Sequence, residues 1–143
     1  MAGREVFIDT SGLYALVNRK DTYHNAARDV VVRLARQGRK LVLTDYVVGE
    51  TATLAKMHSG AHVALRVVDL VEQSAGIRLE RIDSTRFDAT KAYFRKHAYH
   101  EYSFTDCASF VVMRELRIRE AVTTDGHFVE AGFETLLPVP PVS

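Results

Sequence analysis

Val6-Phe7-Ile8-Asp9-Thr10-Ser11 decides how this 143-residue chain folds. Three consecutive apolar residues read as a short strand ending at Asp9, and residues 13–17 follow as a short helical turn. The same alternation of strand and helix recurs downstream. Residues 23–37 are helical, with Ala27, Val30, Val31 and Leu34 on one face and Gly38 as the C-terminal cap. Residues 40–43 read as a second strand, and Thr44 is placed to cap a helix that runs to about His58. Ser59-Gly60 breaks that helix, and another covers about 62–74 before Gly76. A third strand spans 77–82, and Ser84 is expected to cap a helix reaching about His97. A helix over 105–116, a short strand at 121–123 and a candidate fifth strand at 133–136 complete the pattern. Pro138, Pro140 and Pro141 forbid a helix at the end of the chain.

Strands alternating with helices predict an α/β domain with a parallel sheet covered on both faces. The length suits one domain over residues 1–143, with a helical hairpin at about 45–75 between the second and third strands. Residues 138–143 form a Pro-rich tail. A composition of 47% hydrophobic and 26% charged residues is that of a globular protein. No apolar run approaches the ~20 residues of a membrane span, and the start at Met1-Ala2-Gly3 lacks a signal-peptide pattern. A single cysteine, Cys107, excludes an intramolecular disulfide, and a cytoplasmic location is expected. The net charge of +1 leaves any polyanion-binding surface to local clustering of cations.

Four carboxylates stand in apolar or hydroxyl-rich surroundings: Asp9, Glu50, Asp106 and Asp125. In open parallel sheets, sites form beyond the carboxyl ends of the strands. Asp9 and Asp125 fall at or just past strand ends, and Glu50 and Asp106 fall early in helices. Each also has a structural reading. Asp9 suits a strand-to-helix turn, and Asp125 suits the cap of a short helix over 127–131. Ser103-Phe104-Thr105-Asp106 fits a capping box, with Thr105 a rival cap. Glu50 shares a helix face with Val47, Leu54 and Met57, so it is expected to be partly desolvated, either in a buried salt bridge or in a site. Gly49 beside it, costly in a helix, suits a close approach of backbone or ligand.

If the four converge, they cannot all remain ionised alone. Two carboxylates about 5 Å apart repel by roughly 3 kcal/mol at an effective dielectric near 20. Either some pKa values rise or a cation binds. An all-oxygen, thiol-free set suits Mg²⁺, with Mn²⁺ as the alternative, and such a centre suits phosphodiester hydrolysis.

These residues, in this order, resemble the PIN-domain nucleases, and among them the VapC toxins of toxin–antitoxin pairs. Val6-Phe7-Ile8-Asp9-Thr10-Ser11 is similar to the family's first acidic strand, and Val47-Val48-Gly49-Glu50-Thr51 to its helical glutamate. The stretch from Tyr102 through Asp106 to Phe110 resembles the third-acid motif, and Val122-Thr123-Thr124-Asp125-Gly126-His127-Phe128 the terminal one. The resemblance implies a PIN-like three-layer fold and a Mg²⁺-dependent endoribonuclease using a metal-activated water. It assigns Asp9 and Asp106 as main metal ligands, Glu50 and Asp125 as ligands directly or through water, and Thr10, Ser11 and Thr123 as groups that orient the carboxylates. It further implies a homodimer, a VapB-like antitoxin, and an RNA substrate, either a structured ribosomal RNA loop or transfer RNA. Some members carry another acid where this chain has His127, which reads here as a surface residue ahead of a phosphate contact.

Other features carry less. His58 and His62 have zinc-like spacing, but Ser59-Gly60 interrupts the helix between them. Cys107 reads as a buried small side chain. The basic groups around Arg28–Lys40, Lys91–His97 and Arg114–Arg119 read mostly as solvated helix faces. The aromatics of 97–102 suit either base stacking or packing. Two other functions stand beside the nuclease: a PIN-fold binding module with little turnover, and a phosphatase with an aspartyl nucleophile. The latter commonly needs an acid where Ser11 stands.

Overall fold

The computed structural model describes residues 4–140. Residues 1–3 and 141–143, which include the chain start and Pro141 of the tail, lie outside the described residues. The elements are β1 (Val6–Ile8), α1 (Thr10–Val17), α2 (His24–Arg36), β2 (Leu41–Thr44), α3 (Asp45–Ser59), α4 (Ala61–Gln73), β3 (Ile77–Glu80), α5 (Ser84–Lys96), α6 (Phe104–Glu115), β4 (Glu120–Val122), α7 (Gly126–Glu130) and β5 (Glu134–Thr135). The five strands form one sheet in the order β3-β2-β1-β4-β5, with every pairing parallel. The fold is thus the α/β architecture that the strand–helix alternation predicts.

Strands β1 and β2 are buried at every residue, as expected of central strands with helices on both faces. Phe7, Ile8, Leu43 and Val122 anchor the core from the sheet. Leu13 of α1, Ala27 and Leu34 of α2, Val47 and Ala55 of α3, and Phe110 and Met113 of α6 cover it from the helices. Strand order reverses at β1: the chain builds β2 and β3 to one side of it, then β4 and β5 to the other. The carboxyl ends of β1 and β4 therefore flank a topological switch point, where ligands bind in open α/β sheets.

Several local expectations hold in detail. Gly38 takes φ +67° after α2, and Thr44 accepts a hydrogen bond from the Val47 amide to cap α3. Gly60, at φ +93°, separates α3 from α4, which pack against each other between β2 and β3. Others are corrected. Helix α1 begins at Thr10 rather than near residue 13, because Asp9 itself caps it. Asp83, not Ser84, caps α5 by accepting from the Arg86 amide. Ser103 prevails over Thr105 at α6, where the capping box with Asp106 is complete.

Candidate active site

Asp9 follows the last residue of β1 and is buried. Its Oδ1 accepts from the Gly12 amide at 2.9 Å and from Ser11 Oγ at 2.8 Å, and its Oδ2 accepts from Thr123 Oγ1 at 2.7 Å. The same Thr123 hydroxyl accepts from the Asp125 amide at 2.9 Å, and Ser11 Oγ accepts from the Thr124 amide at 3.0 Å. Two hydroxyls thus tie the end of β1 to the turn after β4. Burial pushes the Asp9 carboxyl up to about 7. The hydrogen bonds from Gly12, Thr123 and Ser11 oppose the rise, and the charge on Asp125 adds to it.

Asp106, on the first turn of α6, is drawn into the same place by its cap. Its Oδ2 accepts from the Ser103 amide at 3.1 Å and lies 3.1 Å from His127 Nδ1. Asp125 caps α7, its Oδ1 accepting from the His127 amide at 2.9 Å and lying 3.3 Å from His127 Nδ1. Ligand atoms of Asp106, Asp125 and His127 all fall within 4.8 Å of one another. Burial raises the pKa of Asp106, and Asp125 raises it further against the pull of the Ser103 amide and His127. At His127, burial favours the neutral ring, but the charges of Asp125 and Asp106 outweigh it and raise its pKa. Asp125 is therefore the electrostatic hub, acting on Asp9, Asp106 and His127.

Three expectations are corrected here. His127 is no surface residue: it is partly buried and faces two carboxylates. Thr10 does not orient a carboxylate, since its buried hydroxyl has no hydrogen-bond partner among the described residues. Glu50 does not sit in an apolar stripe. The inward face of α3 is Val47, Thr51 and Ala55, whereas Met57 is 70% exposed. Glu50 is half-buried and makes no hydrogen bond or ion pair among the described residues, so the salt-bridge reading falls away. Among the described residues, nothing beyond its own helical turn and chain neighbours lies within 4 Å of a Cβ placed on Gly49. Burial pushes the Cys107 thiol up to about 11, which leaves it unreactive at neutral pH.

The sequence reading missed Gly12. A Cβ there would stand 2.0 Å from the Val122 carbonyl oxygen and 2.8 Å from its carbon. Only glycine lets α1 approach β4 closely enough for its amide to reach Asp9 while Thr123 does the same from the other side. A glycine in a T-S-G-L run carries no local mark of that approach, which joins residues far apart in the chain.

A hard divalent cation fits the donors present. The described residues supply three carboxylates, with Asp125 acting on both Asp9 and Asp106, and one imidazole, and a buried carboxyl whose pKa is pushed up to about 7 ionises more readily beside a cation.

Comparison with known proteins agrees with this arrangement. The PIN domain family matches residues 6–134. The chain is 34% identical over 134 residues to the 23S rRNA-specific endonuclease VapC20 of Mycobacterium tuberculosis, covering 93% of this chain and 98% of that one. The crystal structure of the same relative, described as a Sarcin-Ricin loop cleaving toxin, superposes with a TM-score of 0.84 at 31% identity. It covers 93% of this chain and 99% of that chain. VapBC2 from Rickettsia felis, bound to a promoter DNA fragment, matches with a TM-score of 0.67 at 8% identity over 92% and 96% of the two chains. FitAcB from Neisseria gonorrhoeae matches at 0.62 and 15% identity over 91% and 95%. These last two share the fold alone. The chain belongs to the PIN-domain family, and within it to the VapC group.

Proposed function

We propose that this protein is a Mg²⁺-dependent endoribonuclease and the toxin of a VapBC-type pair, with a structured ribosomal RNA loop as substrate. The observation that carries this reading is the assembly of Asp9, Asp106, Asp125 and His127 at the switch point between β1 and β4. The similarity to a 23S rRNA endonuclease over nearly the whole chain supports the substrate class. Transfer RNA is the competing substrate.

In this reading Asp9 and Asp106 hold the metal, Asp125 and Glu50 contribute directly or through water, and Ser11 and Thr123 fix Asp9 by hydrogen bonds. When bound, the cation neutralises charge on the scissile phosphate and supplies a more acidic water. The chain's own residues do the rest. Asp125 and Asp106 present carboxyl oxygens to the place where the cation is needed, and the cap on α6 stops Asp106 from turning away. His127 places a ring nitrogen between the two acids and screens their repulsion. Mn²⁺ fits the same donors.

Residues 1–143 are read as one PIN domain in a cytoplasmic protein. Among the described residues no helix is long and apolar enough to cross a membrane. A homodimer and a VapB-like antitoxin complete the proposal, supported by exposed apolar side chains a partner would cover, among them Met57, Leu65, Phe87 and Phe94.

Purified protein incubated with a synthetic ribosomal loop RNA tests the activity. Cleavage is expected with Mg²⁺ and lost on adding EDTA or in Asp9→Asn. Activity that survives both treatments would sink the proposal, and cleavage of transfer RNA in preference to the loop would redirect the substrate assignment.

A further inference from the structure

Away from the acidic site, a cavity of about 420 Å³ opens where the C-terminal ends of α1 and α3 meet the start of α4. Arg19, Lys20, His58, His62 and Arg66 line it, with Ser59 among them and no carboxylate. This is unusual for a chain whose net charge is only +1. Three arginines elsewhere are engaged by carboxylates: Arg39 pairs with Glu120, Arg78 with Glu80, and Arg86 with Glu80 and Glu115, whereas others, such as Arg33 and Arg36, stand on the open face of α2 in no ion pair among the described residues. Arg19, Lys20 and Arg66 form no ion pair among the described residues. Two acids lie close by in the chain or in an adjoining cavity without pairing with them. Asp21 accepts from the Tyr23 amide, and Asp69, which lines an adjoining cavity with Arg66, forms no ion pair with it.

The cavity is a built one. The Tyr14 hydroxyl and Ser59 Oγ lie 2.5 Å apart and join α1 to the end of α3. Arg66 Nη1 donates to the Val17 carbonyl at 3.3 Å, which holds its guanidinium at the rim. Gly60 begins α4 without a side-chain cap, so the first amides of that helix are left for a ligand or water. The adjacent end of α3 offsets their partial charge, and the side chains therefore set the preference for an anion. Several cations around one cavity, none of them in an ion pair among the described residues and with no carboxylate in the lining, match a phosphodiester backbone, whose charge dominates nucleic-acid affinity.

Helix α1 connects this cavity to the acidic site. Asp9 caps its start and Asn18, which lines the cavity, caps its end. At 1.5 Å per residue the two caps are about 13 Å apart along the helix. That separation is one that a few nucleotides of RNA span, although α1 itself is covered by neighbouring helices.

We propose that the cleft formed by Arg19, Lys20, His58, His62 and Arg66 binds a backbone phosphate of the RNA substrate, at a distance from the cleavage site set by α1. The proposal rests on the nuclease reading above. Its test is Arg19→Gln/Lys20→Gln, with Arg66→Gln as a second variant, all at exposed side chains whose loss leaves the core intact. The charge-matched control is Arg33→Gln/Arg36→Gln on the exposed face of α2. Affinity for a fluorescent ribosomal loop RNA is read by anisotropy across a salt series, and KM by cleavage.

Both cleft variants are expected to weaken RNA binding roughly tenfold, and the slope of log affinity against log salt to shrink by about 0.7 for each phosphate that is no longer neutralised. The α2 control is expected to change neither. Equal losses in cleft and control variants would reduce the effect to overall charge and overturn the proposal. Unchanged RNA affinity would also overturn it, including when binding of poly-glutamate falls, since the cleft would then serve an acidic peptide. Wild-type protein that neither binds nor cleaves RNA removes the nuclease reading itself, whereas normal wild-type cleavage with unaffected cleft variants removes only the cleft.

Discussion

Asp9 is under two opposed demands. Burial penalises its charge and holds the carboxyl near 7, while three hydrogen-bond donors aim at an anion. Without metal, the folded protein binds a proton that the unfolded chain, with the ordinary value of 3.8, has released. Between these two values rising pH therefore destabilises the fold. The raised pKa of Asp106 acts in the same direction. His127 does too, since a raised imidazole loses its contribution as pH climbs through its folded value. Metal-free protein in EDTA is thus expected to melt at progressively lower temperature from pH 5 to pH 8. Asp9→Asn should flatten that slope and raise stability at pH 8 by about 1–3 kcal/mol, while abolishing cleavage. A pH slope equal to wild type in a differential scanning measurement would contradict the assignment. Gly12 makes the complementary case. Gly12→Ala drives a Cβ into the Val122 carbonyl, where only backbone movement gives relief, and is expected to cost about 4 kcal/mol or more in urea unfolding. Asp9 was legible because an acid ending an apolar strand is a local oddity. Gly12 was not, because its constraint is a distance to a strand at the other end of the chain. His127 is illegible for a similar reason: Asp125 adjoins it in sequence, but Asp106 is brought to it only by the packing of α6.

The helices owe their boundaries to caps, and one cap also serves the site. Ser103 Oγ accepts from the Asp106 amide at 2.9 Å while the Ser103 amide donates back to Asp106 Oδ2. The structural and functional readings of Asp106 are therefore not rivals, since the capping box is what aims the carboxylate. Ser103→Ala is expected to cost about 1 kcal/mol as removal of any cap does, and in addition to weaken metal affinity or activity by roughly tenfold, as for other supports of ligand groups. Asp83→Ala removes the cap of α5 and is expected to cost a similar stability without the loss of activity. Comparing the two by thermal melting and RNA cleavage separates stability from aim, and equal activity in both variants would deny the Ser103 hydroxyl a part in aiming Asp106. Cap chemistry was readable where one candidate stood alone, as at Thr44, and ambiguous where two hydroxyls or acids adjoined, as at Asp83-Ser84 and Ser103-Thr105. Helix facing was the weaker inference. The α3 stripe through Glu50, Leu54 and Met57 looked apolar in sequence, but α4 and the sheet select Val47, Thr51 and Ala55 instead.

The whole molecule brings together residues that lie over a hundred positions apart. β1 pairs with β4, and the hydroxyl of Thr123 reaches Asp9 across that pairing. The acidic site is complete only once the sheet has closed, so a cation that binds it favours the folded state. Folding and metal affinity are then linked by mass action: a free ion a hundredfold above its Kd adds about 2.7 kcal/mol of stability. Because Asp9 must release its proton to serve as a ligand, the gain should grow as pH rises through 7. Melting curves with Mg²⁺ or Mn²⁺ are therefore expected to show a larger rise in Tm at pH 8 than at pH 6, opposite in sign to the metal-free trend. Asp9→Asn and Asp106→Asn should each lose most of that rise. A rise of the same size in both variants would place the ion elsewhere and separate the acidic cluster from metal binding.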